Sequence, residues 1–330
     1  MDPATRLHVG DLLGTEVTAA QYLGGQHGVR HYRVWLADGR SAFSKVGNGL
    51  VGPDAVRRVA AAPGNERGAA ESSGGSAPWA DIPPGSGGSS LAGDTAGFAA
   101  EAAGLRWLAE AAATGVPLVC AQDDDCLVTD WIEAGPPSPD AAARFGRELA
   151  DLHAAGADRF GAPWPGEIAG LPLPNDAGDV DSWPDWYVTH RVLPYARLGR
   201  DVGTLRPADI ALIESACARA ADVGGPPEPP ARLHGDCWSG NVLWSGGRGW
   251  LIDPAAHGGH RETDLAMLSL FGAPYLDTMI SVYHEVRPLA DGWRSRVPLH
   301  QLHPLLVHVC LFGAAYRDAV LAAARAVLAR

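Results

Sequence analysis

The stretch from Leu233 to Leu265 constrains this chain more than any other. It begins Leu233-His234-Gly235-Asp236-Cys237-Trp238-Ser239-Gly240-Asn241 and continues through the apolar run Val242-Leu243-Trp244 into a glycine-rich turn. After the turn come Trp250-Leu251-Ile252, Asp253-Pro254 and finally His260-Arg261-Glu262-Thr263-Asp264-Leu265. Asn241 follows Asp236 by five positions, and Asp253 follows Asn241 by twelve. One Asp beside Gly or Pro is a turn former more often than a catalytic group. Two acids and a carboxamide at these intervals, flanking a short apolar hairpin, are a much rarer set.

That set suits phosphoryl transfer, which needs little covalent help from a protein but much positioning and charge neutralisation. One carboxylate orients the acceptor hydroxyl and takes its proton; a carboxamide and a second carboxylate give hard oxygens to Mg²⁺ on the nucleotide phosphates. Protein kinases use a His-x-Asp loop, an Asn five residues later and a metal-binding Asp after the next hairpin. His234, Asp236, Asn241 and Asp253 stand in those places. The two apolar runs around Ser245-Gly246-Gly247-Arg248-Gly249 predict a hairpin that returns Asp253 towards Asn241.

The amino-terminal part predicts a small antiparallel sheet. Val17 to Leu23, Arg30 to Leu36 and Arg40 to Val46 read as strands, with a glycine-rich turn at Gly24 to Gly28 and a two-residue Asp38-Gly39 hairpin turn. Lys45 falls near the end of the third strand, the order in which a kinase amino-terminal lobe grips ATP phosphates. Taken alone it is a weak signal, since the turn does not spell GxGxxG and a strand Lys is usually a solvated edge residue. Phe98 to Ala113 has helical spacing and carries Glu101, placed to pair with that Lys. Val116 to Val119 and Cys126 to Thr129 read as further strands, and Asp130, Trp131 and Ile132 as a connector whose backbone faces the adenine edge.

Between about 47 and 97, runs such as Ser72-Ser73-Gly74-Gly75-Ser76 bury too little apolar surface to offset chain entropy. This segment reads as a disordered insertion, with a short helix near Asp54 to Ala61. The rest is mostly helical: Asp140 to Ala155 with Asp140 as N-cap, Trp183 to Leu198, Pro207 to Asp222, Thr263 to Phe271, Pro274 to Glu285 and His303 to Leu328. Phe160 to Val180 reads as an ordered loop. Two domains are therefore expected, an ATP-covering lobe over 1–130 and a catalytic and substrate lobe over 131–330.

With 330 residues the chain can bury a substantial core. A net charge of −12 without a basic run argues against nucleic acid or an anionic membrane as partner. Five scattered cysteines without a CxxC pair fit a reduced, cytoplasmic protein. The first residues carry charges and no apolar signal segment follows, nor is a membrane span expected.

In its full order the chain resembles the fructosamine/ketosamine kinase family, within the aminoglycoside-phosphotransferase-like branch of protein-kinase-like folds. The motifs are His234 to Asn241 with Trp238 after the Asp, Ile252-Asp253-Pro254, and Gly259 to Met267 followed by Leu270-Phe271-Gly272. Gly24-Gly25, Lys45, Glu101 to Leu105 and Gly170 to Asn175 add support. The resemblance implies an α+β two-lobed fold and ATP-dependent phosphorylation of the sugar 3-hydroxyl of ketosamines, on free amines or glycated proteins, leading to deglycation. It implies Asp236 as catalytic base, Asn241 and Asp253 as Mg²⁺ ligands, and Lys45 with Glu101 at the nucleotide. Trp238 is expected either to line the sugar pocket or to be a core residue.

Cys237 stands where the family more often has Leu, and Asp130 where its connector commonly has Glu; the long insertion is unusual. Three other readings compete. One keeps the fold with another alcohol acceptor, such as an aminoglycoside or choline; one is a nucleotide-binding scaffold without turnover; the last is a metal hydrolase built on His257, His260 and His284.

Overall fold

The structure is a computed structural model, and it describes residues 1–26, 28–47, 96–175 and 180–330. The helix expected near 54–61 and most of the insertion lie outside the described residues. The described chain divides into two compact units: a smaller one of residues 1–47 and Val119–Trp131, and a larger one from Ala96 to Leu118 and Ile132–Arg330.

The smaller unit is a five-stranded antiparallel sheet with one helix. Its elements are α1 (Pro3–Leu13), β1 (Val17–Gln26), β2 (Val29–Leu36), β3 (Ser41–Gly47), β4 (Val119–Gln122) and β5 (Cys126–Asp130), in the order β1-β2-β3-β5-β4. Residues alternate across β2, so Tyr32, Val34 and Leu36 are buried with Ala42, Val46, Cys126 and Val128, and Val9 of α1 closes this core. Asp38 and Gly39 make the β2–β3 turn, Gly39 at φ 87°. Helix α1 was not foreseen. Asp2 caps it, accepting from the Thr5 amide at 2.9 Å, Pro3 opens it and Gly14 ends it in the left-handed region.

The larger unit is mainly helical. It begins with α2 (Ala96–Glu110) and α3 (Pro139–Ala154), followed by the short hairpin β6 (Gly166–Ile168) and β7 (Leu171–Leu173). Next come α4 (Trp183–Tyr187), α5 (Leu193–Asp201), α6 (Pro207–Ala218) and α7 (Ala220–Val223). Strands β8 (Ala231–Leu233), β9 (Val242–Ser245), β10 (Arg248–Leu251) and β11 (His257–Gly259) precede α8 (Glu262–Leu270), α9 (Leu276–Val286), α10 (Trp293–Phe312) and α11 (Arg317–Leu328). Its core gathers Trp186, Tyr187, Tyr195, Ile213, Leu302, Leu306, Val309 and Val327.

Several local expectations change, among them the strand expected at Val116 to Val119, which is β4 at Val119–Gln122. Ser138, not Asp140, caps α3: Pro139 takes the first helical position, and the Ser138 hydroxyl accepts from the Ala141 amide. The helix expected over 183–198 is α4 and α5 joined by a π turn, Val188–Val192. The loop expected over 160–180 contains the β6–β7 hairpin. Helix α10 starts ten residues before the expected His303 and contains Pro298 and Pro304. The His300 carbonyl, which Pro304 cannot serve, accepts instead from the Tyr187 hydroxyl at 2.9 Å.

The stretch Trp293–Leu328 is long and apolar enough, by length and composition, to cross a membrane. It is nevertheless two helices, interrupted at Gly313, and Leu299, Leu302, Leu306 and Val309 belong to the core of the larger unit.

Candidate active site

The loop that carries Asp236 is the exit of β8, which pairs with β11 so that Leu233 faces His257. Gly235 turns the chain at φ 83°, and a Cβ there would lie 2.1 Å from the Ala255 carbonyl oxygen, so only glycine fits. Hairpin β9–β10 closes through Gly246 and Gly247, both at positive φ, as a type I′ turn requires. It returns the chain to Asp253, whose backbone is left-handed at φ 53°. Such a conformation costs energy in a non-glycine residue and concentrates at functional positions.

Asn241 joins the three predicted residues. Its Nδ2 donates to the Asp236 carbonyl at 2.9 Å, to Asp236 Oδ2 at 2.9 Å and, more weakly, to the Asp253 carbonyl at 3.4 Å. The amide nitrogen does all this donating, which leaves the carboxamide oxygen as the hard donor. Asp236 Oδ1 makes no hydrogen bond to another described residue. Burial pushes the Asp236 carboxyl up to about 7; the Asn241 hydrogen bond opposes this, while the charges of Asp253 and Asp264 add to it.

The loop is held from below by Asp264, which the sequence shows within a motif but without a task, and by His153 and Tyr283, which lie in none of the motifs. Asp264, in the first turn of α8, accepts the backbone N–H of His234 at 2.8 Å and of Gly235 at 3.0 Å. It also accepts from His153 Nε2 at 3.1 Å, and His153 Nδ1 in turn accepts from the Tyr283 hydroxyl at 2.8 Å. His234 Nδ1 accepts from the Asp236 amide, so its Nε2 carries the proton and donates to the Ile252 carbonyl at 2.9 Å. Burial alone would raise the Asp264 pKa, but the His153 hydrogen bond and the loop amides hold it below the usual carboxylate range. The legible signal was Asp264 itself, two residues after Glu262.

Trp238 is half-buried and lies over Gly240, where a Cβ would come within 2.3 Å of the indole. Its ring meets Phe271 edge-on at 5.8 Å, and Phe271 lies 5.0 Å from His308. An aromatic wall therefore starts two residues after Asp236; Phe271, which lies in the Leu270-Phe271-Gly272 motif, joins it, and so does His308, which no sequence signal singled out. Lys45, buried on β3, and the connector residues Asp130 and Trp131 belong to the smaller unit; Glu101 of α2 and Ile132 belong to the larger.

The histidine set His257, His260 and His284 does not assemble. Among the described residues the one group of three or more His, Cys, Asp or Glu side chains with metal-ligand proximity is His260, Glu262 and His300, whose ligand atoms lie within 4.8 Å of one another. Arg296 already occupies Glu262, with Nε at 2.8 Å and a terminal nitrogen at 2.5 Å. Trp183 packs against both imidazoles. A guanidinium in the ligand position repels a cation, so this cluster is an ion-pair node.

The model of the fructosamine kinase family matches residues 90–330. The chain belongs to that family. A Synechocystis sp. protein named as a probable ketoamine kinase is 34% identical over 228 residues, 67% of this chain and 75% of that one. The crystal structure of a candidate fructosamine-3-kinase from Thermobifida fusca is 44% identical, with a TM-score of 0.83 and complete coverage of both chains. An aminoglycoside phosphotransferase in ternary complex with ADP and hygromycin B is 12% identical at TM-score 0.59 over 97% of this chain and 98% of its own, a likeness of fold alone. The fold is thus the two-lobed α+β architecture of the protein-kinase-like phosphotransferases. This ketosamine kinase is a phosphotransferase acting on a sugar hydroxyl, and family membership implies ATP as donor.

Proposed function

We propose that this kinase transfers the γ-phosphoryl group of ATP to the sugar 3-hydroxyl of ribulosamine or fructosamine adducts, carried on free amines or on protein lysines, as the first step of deglycation. The observation that carries this reading is the convergence of Asp236, Asn241 and the Asp253 backbone, with Asp236 Oδ1 making no hydrogen bond to another described residue. Asp236 orients that hydroxyl and takes its proton as the oxygen bonds to phosphorus and the bond to ADP breaks. A carboxyl titrating near 7 suits a general base.

The donor set of Asn241 and Asp253 is carboxamide and carboxylate oxygen, which fits Mg²⁺ and no softer ion. Bound there, Mg²⁺ supplies neutralisation of phosphate charge. Lys45 and Glu101 are assigned to the nucleotide phosphates, and the connector Asp130, Trp131 and Ile132 to adenine. In support, Ile132 makes no backbone hydrogen bond to another described residue, so its polar groups can meet a base edge. Trp238 offers its face to the apolar C–H surface of the sugar.

The test is ATP consumption with Mg²⁺ against ribulosyl-lysine, fructosyl-lysine, an aminoglycoside and choline. Turnover is expected on the ketosamines and not on the last two. Turnover confined to an aminoglycoside or choline would overturn the acceptor assignment while keeping the kinase.

A further inference from the structure

The sheet of the smaller unit has two unlike faces. Tyr32, Val34, Ala42, Val46 and Val128 are buried in its core on one side. The register places His31 opposite Lys45 and Lys45 opposite Leu127; it likewise places Arg33 opposite Phe43 and Phe43 opposite Thr129. Directly opposed residues share a face. Arg33 therefore stands on the face that bears Lys45, one pair nearer the connector.

On that face Arg33 meets two indoles. Its Cζ lies 4.4 Å from the ring centre of Trp131 and 5.0 Å from that of Trp35. Trp35 belongs to the same strand, whereas Trp131 is the first residue after β5 leaves the ladder, whose last pair is Ala42 with Asp130. A delocalised planar guanidinium can stack on indole faces, which a lysine ammonium cannot do.

We propose that Arg33 is a positioning residue for the donor nucleotide: by holding the Trp131 indole against β2, it fixes the connector backbone that receives adenine. The proposal rests on the kinase reading given above. It assigns Arg33 to nucleotide affinity and leaves acceptor binding and the chemical step to other residues. The arrangement also explains why two tryptophans and an arginine are grouped on a half-buried sheet face, where aliphatic residues would cover the same area without fixing a register.

The experiment is calorimetric ADP binding and steady-state kinetics for Arg33→Ala, Arg33→Lys and the exposed control Arg40→Ala. The alanine variant should weaken ADP and raise KM for ATP about tenfold, with kcat at saturating ATP and KM for the ketosamine within twofold. The lysine variant should recover less than half of that loss, because it restores charge without the planar stack; the control should match the unaltered protein. If Arg33→Ala does not fold, Trp131→Leu removes the same contact and should raise KM for ATP similarly. ADP affinity within twofold of the unaltered protein in both variants would overturn the proposal, as would equal rises in both KM values, the signature of general loosening. Absence of ADP binding to the unaltered protein would overturn the kinase reading and this proposal together.

Discussion

Glu262 and Asp264 stand two positions apart in the first turn of α8, both buried and both beside histidines, yet they serve different ends. Asp264 accepts from two loop amides and from His153, so its charge is matched by dipoles that hold Asp236 in place. Glu262 is matched by a full opposite charge, the Arg296 guanidinium, and this pair ties α8 to α10. Asp264, bonded to backbone N–H groups, fixes the loop that carries Asp236; Glu262, bonded to a guanidinium, fixes helix against helix.

The contrast breaks most visibly at Asp264. Asp264→Ala leaves two buried amides and His153 without their acceptor, so kcat should fall by about 10³ and stability by about 3–5 kcal/mol. Stopped-time assays and calorimetry would measure both, and an unchanged kcat would remove Asp264 from the support of the loop. Arg296→Met strands the Glu262 charge and should cost about 3–5 kcal/mol of stability, while kcat of the folded fraction stays within about threefold. Its Tm, with and without Zn²⁺, also tests the ion-pair reading: a rise with Zn²⁺ in the unaltered protein would make the cluster a metal site.

Acid titration sharpens the comparison further. Burial alone would raise the Glu262 pKa, but the hydrogen bonds from Arg296 and the nearby His300 imidazole hold it at about 2, below the ordinary 4.5. A depressed folded pKa contributes stability that is present above the unfolded value, and that contribution is lost as pH falls from about 4.5 through about 2. Glu262→Gln should abolish this component, on the order of 3 kcal/mol, and flatten the stability profile in that window. The smallest effect belongs to Tyr283→Phe, which removes the hydroxyl donor to His153 Nδ1. About 1 kcal/mol of stability and a two- to fivefold loss of kcat are expected, readable by denaturant titration and initial rates.

The spacing of Asp236, Asn241 and Asp253 was legible because chemistry ties three residue types to fixed positions around a short hairpin. Strands β2 and β3 were legible through their alternation and the Asp38-Gly39 turn. Asp264 was visible as part of a motif, but its task was not, because the bonds it accepts come from residues 29 to 111 positions away. The start of α10 was hidden by Pro298 and Pro304, residues that read as helix ends until Tyr187 is seen serving the freed carbonyl. The Trp131–Arg33 contact was hidden for the same reason as the Asp264 bonds: it spans nearly a hundred residues, and periodicity carries no information at that range.

The most direct test of the account is the single-turnover rate of phosphoryl transfer to ribulosyl-lysine, at saturating ATP and Mg²⁺, for the unaltered protein and for Asp236→Asn. Asparagine keeps the shape and the Asn241 contact but cannot take the hydroxyl proton, so the rate should fall by at least about 10³ while ADP affinity stays within a few-fold. A rate within tenfold of the unaltered protein would contradict Asp236 as the base, and with it the site built around Asn241 and Asp253.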